Sequence, residues 1–500
     1  MILFSVFLNK LKEKAPEQIV RIANVKDDFF ISDIFTNSKY VRNKSVFVCI
    51  EGENYDGHQF ISESIDKGCV LLISKKEFSD IPNLLVKDPR SLLGIASSII
   101  YENPCDKLLM YAVTGTNGKS TTSFFLKYIL DNIGIKTGLL GTILYDDGRY
   151  KFEADRTTPE ASDIQRYLYI MNKNRCRACV MEVSSHGLCM NRIEGSSYDA
   201  GIFTNLSEEH LDYHITMESY FNAKKKLFDK YMKKEWKIAT NIDNNYGSKM
   251  YEIFNSNAIP YGLNRKNVNC NFFAKNVILE NTGSFFDLEI NGLFKKFFLP
   301  LPGKFNIYNI LAAISIVTTQ CNDIDKIIDI VKNIPNVPGR FENFYTNSGI
   351  HIIIDFAHTP FALLNLLSNI KYFASKRIIS VFGHGGGRFA ENRKYLGEIS
   401  SNYADKIILT NDNPRKEDPL SIAYQIYLGA IKNNKKCDIS IVLNREKAIE
   451  LALKFAKQGD IIVISGKGHE RKMQLANATI DYNDLDVVKL FCKKNGVFLK

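Results

Sequence analysis

The chain has 500 residues, 45% hydrophobic and 24% charged, which suits ordinary globular cores and excludes a disordered polypeptide. Its net charge of +10 comes from 65 basic and 55 acidic residues. The excess is scattered lysine, as at Lys224–Lys226 and Lys435–Lys436. No basic run alternates with aromatics, which argues against a nucleic-acid module and leaves a solvated basic face or an anionic substrate.

The N-terminus opens with the apolar run Met1 to Leu8, followed closely by Lys10, Lys12, Glu13 and Lys14. It is too short to span a membrane and lacks a basic n-region and a small-residue cleavage site. An amphipathic helix and a cytoplasmic protein are expected. Of ten cysteines, the close pair is Cys176 and Cys179, without a second pair or histidines at ligand spacing. Free thiols in a reducing compartment are therefore expected in preference to zinc.

Three α/β blocks follow in chain order, within the two to four domains that this length suggests. Residues 1–108 hold short strands such as Ser45 to Ile50 and Val70 to Ile73, with helical stretches between. Asn103-Pro104 marks a linker. Residues 109–338 alternate strands (Ala178 to Val183, Ala200 to Phe203, Lys237 to Thr240) with helices, the pattern of a mostly parallel sheet. A short β insertion is expected near 270–300. Pro335, Pro338 and Gly339 punctuate the chain before residues 339–500. There His351 to Asp355, Arg377 to Phe382, Lys406 to Thr410 and Asp460 to Ser465 read as a Rossmann-like doubly wound unit. Short linkers between the blocks suggest hinge motion on substrate binding.

The second block opens on Thr114-Gly115-Thr116-Asn117-Gly118-Lys119-Ser120-Thr121, between an apolar strand and a helical pattern. Such a loop aims backbone N–H groups and a helix N-terminus at phosphate. Lys119 would balance phosphate charge and Ser120 would ligate Mg²⁺. The spacing is compressed, because Val113 stands where the common phosphate loop has its first glycine. Glu182 closes the strand after it, where open α/β sheets bind ligands, and is placed to hold Mg²⁺. His210 and His214 flank Asp212 after another short strand, which leaves a metal or phosphate role and a structural role equally open.

The ordered set Thr114 to Ser120, Met181 to His186 and Asn205 to His214 resembles the Mur ligases. Further stretches extend the resemblance along nearly the whole chain: Asp56-Gly57-His58, Thr157-Thr158-Pro159, Gly303 to Asn309, Pro338 to Glu342, Asp355 to Pro360 and Gly466 to Glu470. The resemblance implies an N-terminal UDP-binding domain, a central ATPase-like domain and a C-terminal amino-acid-binding domain. It implies that ATP phosphorylates the γ-carboxylate of the D-glutamate in a UDP-linked muramoyl dipeptide. The amine of an incoming amino acid then displaces phosphate. ATP would be bound by Gly115 to Thr121 with Asn306, Arg340 and Asp355. By the same resemblance Ser120 and Glu182 hold one Mg²⁺, His210 helps hold a second, and Lys224 is carbamylated beside them. Lys119, Glu182, His210 and Lys224 form the implied catalytic set.

For the nucleotide sugar and dipeptide the resemblance implies Ser38, Thr157, Thr158, Ser184 and Arg192. The family's Asp-Ser-Arg appears as Asn37-Ser38-Lys39, Arg156 stands where asparagine is common, and Met190 replaces a common glutamine. Asp412-Asn413-Pro414-Arg415 resembles the signature of members that add meso-diaminopimelate, the third peptide residue. A guanidinium can grip the distal carboxylate of that amino acid in bidentate fashion, and lysine has no such group. Asp412 could pair with the distal ammonium, and Arg388, Gly466 and Glu470 match other residues of that pocket. The family's Gly-Cys-Gly-Gly-Asp-Arg-Asp appears as Gly383-His384-Gly385-Gly386-Gly387-Arg388-Phe389, and Phe356 replaces a usual tyrosine. The expected partners are therefore the dipeptide and meso-diaminopimelate, handled by a monomer without nucleic acid or a membrane span. Two other readings are a folylpolyglutamate synthetase, which shares the ATPase logic, and a nucleotide-binding regulator without ligase activity.

Overall fold

The computed structural model describes residues 1–52, 56–264, 272–290, 292–432 and 437–499; Lys435, Lys436 and Cys270 lie outside them. Three larger sheets follow one another along the chain. The first has five strands in the order Ile19–Ala23, Asn83–Val86, Cys69–Ser74, Ser45–Val48 and Asp33–Phe35. Its pairs are parallel except the first. The opening apolar run forms the helix Phe4–Lys14, which buries Phe4, Phe7 and Leu11 at i, i+3 and i+7 and leaves its lysines in water. Each such ring or leucine contributes about 1.5–3 kcal/mol when removed from water.

The second sheet has eleven strands. At its centre Leu109–Thr114 lies between Ala178–Glu182 and Tyr198–Phe203, parallel to both. The chain leaves Leu109–Thr114 through the helix Lys119–Asn132 and enters Thr137–Leu140, two strands away. It returns to fill the gap with Ala178–Glu182 and then crosses to Tyr198–Phe203 on the other side. Connections that diverge in this way open a crevice at the carboxyl ends of the strands. The insertion expected near 270–300 is the run Phe272–Glu280, Gly283–Ile290 and Leu293–Leu299, which extends one edge of this sheet. Cys176 and Cys179 are buried in its core.

The third sheet has six strands, in the order Glu342–Tyr345, His351–Asp355, Ile461–Ser465, Ile378–Phe382, Lys406–Leu409 and Asp438–Ile441. All but the first pair are parallel. Its central strands are buried on both faces, so they read as runs rich in isoleucine and valine rather than as alternating patterns. By contacts the chain forms two compact units. One comprises residues 1–275, 288–295 and 308–330, and the other 276–287, 296–307 and 331–500.

Candidate active site

The strand Leu109–Thr114 delivers the chain into the phosphate loop at the crevice. Gly115 and Gly118 have φ of +145° and +84°, and a Cβ would run into the Thr204 hydroxyl at one and the Asn309 amide at the other. The loop is braced from the next strand end. Asn205 O accepts from Thr116 N–H (2.9 Å), Asn205 Oδ1 accepts from Asn117 N–H (3.0 Å), and Thr204 Oγ1 donates to Asn117 O (2.7 Å). Lys119 Nζ donates to Gly115 O (3.1 Å) and Thr116 O (2.8 Å), which holds the ammonium over the loop. Ser120 and Thr121 are buried in the first helical turn.

Glu182 is fully buried at the end of its strand. Its Oε2 accepts from Ser120 Oγ (3.0 Å) and Thr142 Oγ1 (2.9 Å), and its Oε1 from Thr142 N–H (2.9 Å). Thr158 Oγ1 donates to Glu182 O (3.0 Å), accepts from Ser184 N–H (3.0 Å) and lies 3.1 Å from Ser184 Oγ. Thr157 Oγ1 lies 3.1 Å from Thr142 Oγ1, which can accept from it while donating to Glu182. The structure thus joins Ser120, Thr157, Thr158, Glu182 and Ser184 in one network. Arg192 NH1 donates to Thr158 O (3.3 Å), and its Nε is 3.1 Å from Glu160, which also accepts from Arg156 NH1 (2.7 Å). Met190 Sδ, where the family's glutamine would stand, faces Arg192 NH2 at 3.2 Å.

A second cluster gathers behind the loop. Lys224 is buried, donates to Gly115 O (2.8 Å) and lies 4.8 Å from the Tyr220 ring centroid. Burial and the nearby Lys119 ammonium hold its amine well below the usual lysine range. Tyr220 OH lies 3.2 Å from Thr116 Oγ1, and the His214 ring stacks on Tyr220 at 4.8 Å. The His210 ring lies 4.9 Å from that of His186 and 6.1 Å from Tyr220. Burial lowers the His210 pKa, Glu209 opposes this, and His186, Lys119 and Lys224 lower it further. His210 and Lys224 therefore share one electrostatic environment with the phosphate loop. Ser38 is bonded elsewhere. It is buried, its Oγ donates to Glu63 (2.7 Å), and its carbonyl accepts from Lys67 (3.1 Å).

The remaining candidates belong to the second compact unit. Asn306 is buried and donates to Pro302 O (2.8 Å). Asp355 closes its strand and accepts from the N–H groups of Phe341 and Ala357, both at 2.7 Å. Burial raises its carboxyl pKa, and Arg340 opposes this. The Arg340 guanidinium lies 4.7 Å from the Phe356 ring centroid.

The segment Asp412 to Arg415 follows the strand Lys406–Leu409. Asp412 is buried, and its Oδ2 has no partner among the described residues. A Cβ at Gly466, whose φ is +111°, would meet that oxygen at 2.6 Å. Asn413 Nδ2 donates to Glu470 Oε2 (3.0 Å), and Asn413 Oδ1 accepts from Gln474 N–H (2.9 Å). Lys467, fully buried, donates to Glu470 Oε2 (2.7 Å), Asn413 Oδ1 (3.2 Å) and Lys472 O (2.8 Å). Burial would raise Glu470, but Lys467 and the Asn413 hydrogen bond hold it below the usual carboxylate range. Pro414 is followed by Arg415 in the left-handed region at φ +53°. Arg415 NH1 donates to Gly386 O (2.7 Å) and Nε to Gln474 Oε1 (2.9 Å). A Cβ placed on Gly385 would lie 3.0 Å from Arg415 NH1 and 3.3 Å from Arg388 Cγ, so both arginines flank one turn.

Sequence reasoning missed Thr142, Tyr220 and Lys467. Thr142 acts partly through its backbone, and Tyr220 reads as an ordinary aromatic on a helix. Lys467 carried a signal, since a lysine between two glycines at a strand end is forced against neighbouring loops.

The donor set suits a hard divalent cation at the first cluster. Ser120 Oγ and the buried Glu182 carboxylate form an oxygen pair beside a phosphate loop, the ligand type Mg²⁺ prefers.

Comparisons with known proteins show the family. The Mur ligase middle domain matches residues 113–317, and the Mur ligase, glutamate ligase domain matches residues 339–468. UDP-N-acetylmuramoyl-L-alanyl-D-glutamate--2,6-diaminopimelate ligase 1 of Clostridium acetobutylicum is 37% identical over 469 residues, 93% of this chain and 95% of that protein. The corresponding ligase of Alkaliphilus oremlandii is 38% identical over 475 residues, 94% and 96% of the two chains. A solved UDP-N-acetylmuramoyl-L-alanyl-D-glutamate--2,6-diaminopimelate ligase superposes with a TM-score of 0.68 at 25% identity, covering 97% of this chain and 99% of its own. Phosphate loop, strand-end glutamate and full-length similarity converge, and the chain belongs to the Mur ligase family.

Proposed function

We propose that this protein is an ATP-dependent amide ligase. It joins meso-diaminopimelate to UDP-N-acetylmuramoyl-L-alanyl-D-glutamate during synthesis of a peptidoglycan precursor. The observation that carries the reading is the Asp412 to Arg415 segment, with Arg415 anchored beside Arg388 by the Gly386 carbonyl. Two guanidinium groups at one turn suit a carboxylate at the far end of the incoming amino acid. Asp412 Oδ2 offers an acceptor for the ammonium next to it.

In the first step the D-glutamate γ-carboxylate attacks the γ-phosphorus of ATP and ADP leaves. In the second the amine attacks the acyl phosphate carbonyl, the amide bond forms, and phosphate and a proton depart. Negative charge grows in both steps, so fixed cations and donors should provide most of the rate enhancement. Lys119 and the N–H groups from Gly115 to Thr121 are read as facing the phosphates, and Asn306, Arg340 and Asp355 are also read as nucleotide-binding residues. Thr157, Thr158, Ser184 and Arg192 orient the dipeptide, and Ser38 contacts the UDP moiety. Ser120 and Glu182 would hold one Mg²⁺, and His210 and Lys224 would serve a second; ions bound there would supply positive charge against the charge that grows on phosphate. Lys224 is read as a carbamate, which its neutral amine can form with CO₂ by losing one proton. Residues 1–108, 109–338 and 339–500 are read as the UDP-binding, ATP-binding and amino-acid-binding domains.

Omission assays test the reaction class. Phosphate release should require ATP, Mg²⁺, the dipeptide and meso-diaminopimelate together. Folate in place of the dipeptide should give none; turnover with folate and glutamate would establish the folylpolyglutamate reading instead. ADP release without amide product would establish the regulator reading.

A further inference from the structure

The turn Gly383 to Phe389 carries Arg388 yet has no acidic side chain, because Gly387 and Phe389 stand where the resembling motif has aspartates. Its carboxylate comes from another segment. Glu417 Oε2 accepts from Gly387 N–H (3.0 Å). Glu417 is itself gripped by Arg393, which belongs to the helix Glu391–Tyr403 and is only 1% exposed. NH1 donates to Glu417 Oε1 (2.6 Å) and NH2 to Oε2 (2.8 Å), a two-pronged pair.

The rest of the guanidinium is also committed. NH1 donates to Gln425 Oε1 (3.0 Å), NH2 to Gly385 O (3.4 Å) and Nε to His384 Nδ1 (3.4 Å). Two further bonds lace the turn to the Asp412 to Glu417 segment: Gly386 N–H to Asn413 O (2.9 Å) and Arg415 NH1 to Gly386 O (2.7 Å). Hydrogen bonds from Arg393 draw the Glu417 carboxyl down to about 2, so it is ionised at neutral pH.

We propose that Arg393 and Glu417 are positioning residues for amino-acid selection. The buried guanidinium holds Glu417, Glu417 holds the Gly387 amide, and the turn so fixed sets where Arg388 and Arg415 present their charges. The inference rests on the reading that those two arginines grip a distal carboxylate. Neither Arg393 nor Glu417 needs to touch substrate. A pair that served only folding would change thermal stability without changing how the enzyme ranks its substrates.

The test is steady-state kinetics of the full-length enzyme with each substrate varied in turn, beside thermal unfolding. Glu417→Gln keeps the side-chain size and removes the charge pairing. The KM for meso-diaminopimelate should rise about tenfold or more, as expected for losing a charge-assisted bond, while the KM values for ATP and dipeptide stay within about twofold. Preference over L-lysine should fall in parallel. Arg393→Lys, which keeps the charge and loses the fork, should give the same split. An unchanged KM for meso-diaminopimelate, or equal rises in all three KM values, overturns the inference. A wild-type enzyme that does not prefer meso-diaminopimelate to L-lysine overturns the underlying reading of Arg388 and Arg415, and is seen before any variant is compared.

Discussion

Ser120 Oγ donates to Glu182 Oε2 over 3.0 Å, although 62 residues separate them. Two strand ends produce the contact. Leu109–Thr114 and Ala178–Glu182 are parallel neighbours with Val113 opposite Glu182, so the turn after one strand meets the last side chain of the other. Thr142 fixes the carboxylate with its N–H and hydroxyl, so the site is preorganised by the fold.

Removing that carboxylate should abolish turnover with little effect on folding. Glu182→Gln keeps the shape and a Ser120 partner while losing the charge that holds a cation. ADP release should fall by about 100-fold or more, the scale for losing one preorganised electrostatic group. Thermal unfolding of the two proteins without ligands should nearly coincide.

Lys224 should be replaceable only by something that restores an anion. Lys224→Ala should lose activity, and formate or acetate should recover part of it. Full activity of the variant without supplement would contradict a carbamate at that position.

Arg415→Ala should raise the KM for meso-diaminopimelate by about tenfold to 100-fold, the range for losing a charged hydrogen bond, and leave the KM for ATP nearly unchanged. Arg415→Lys should recover little of the loss, because an ammonium cannot reproduce the planar fork that bonds Gly386 O and Gln474.

His351 should give the second compact unit an acid-sensitive stability. It is buried, its Nε2 lies 2.9 Å from Asn343 Oδ1, and burial pushes its pKa down to about 3. The unfolded chain binds the proton near pH 6.5, the folded one only near 3. Stability from the neutral ring is therefore complete above pH 6.5 and declines as pH falls towards 3, by at most about 1.4 kcal/mol per pH unit. Unfolding of His351→Gln followed against pH should show a shallower decline over that window.

The phosphate loop, Glu182 and the Asp412 to Arg415 segment were legible in the sequence because each is local: a strand, a turn and a functional side chain within a few residues. The brace from Thr142 was not, since it depends on which strands become neighbours. Nothing local in the sequence marks Arg393, which becomes buried only through the packing of the helix Glu391–Tyr403. The strands from Phe272 to Leu299 read as an insertion because period-two patterning shows strands without showing which sheet they join. Arg192 was expected at the dipeptide site, but its sharing of Glu160 with Arg156 was not, because ion pairing between loops leaves no periodic trace.

The most direct test of the central claim is mass analysis of the product formed when meso-diaminopimelate and L-lysine are offered together at equal concentration with ATP, Mg²⁺ and the UDP-linked dipeptide. The account expects the meso-diaminopimelate tripeptide to dominate. A product mixture dominated by the lysine adduct would contradict it.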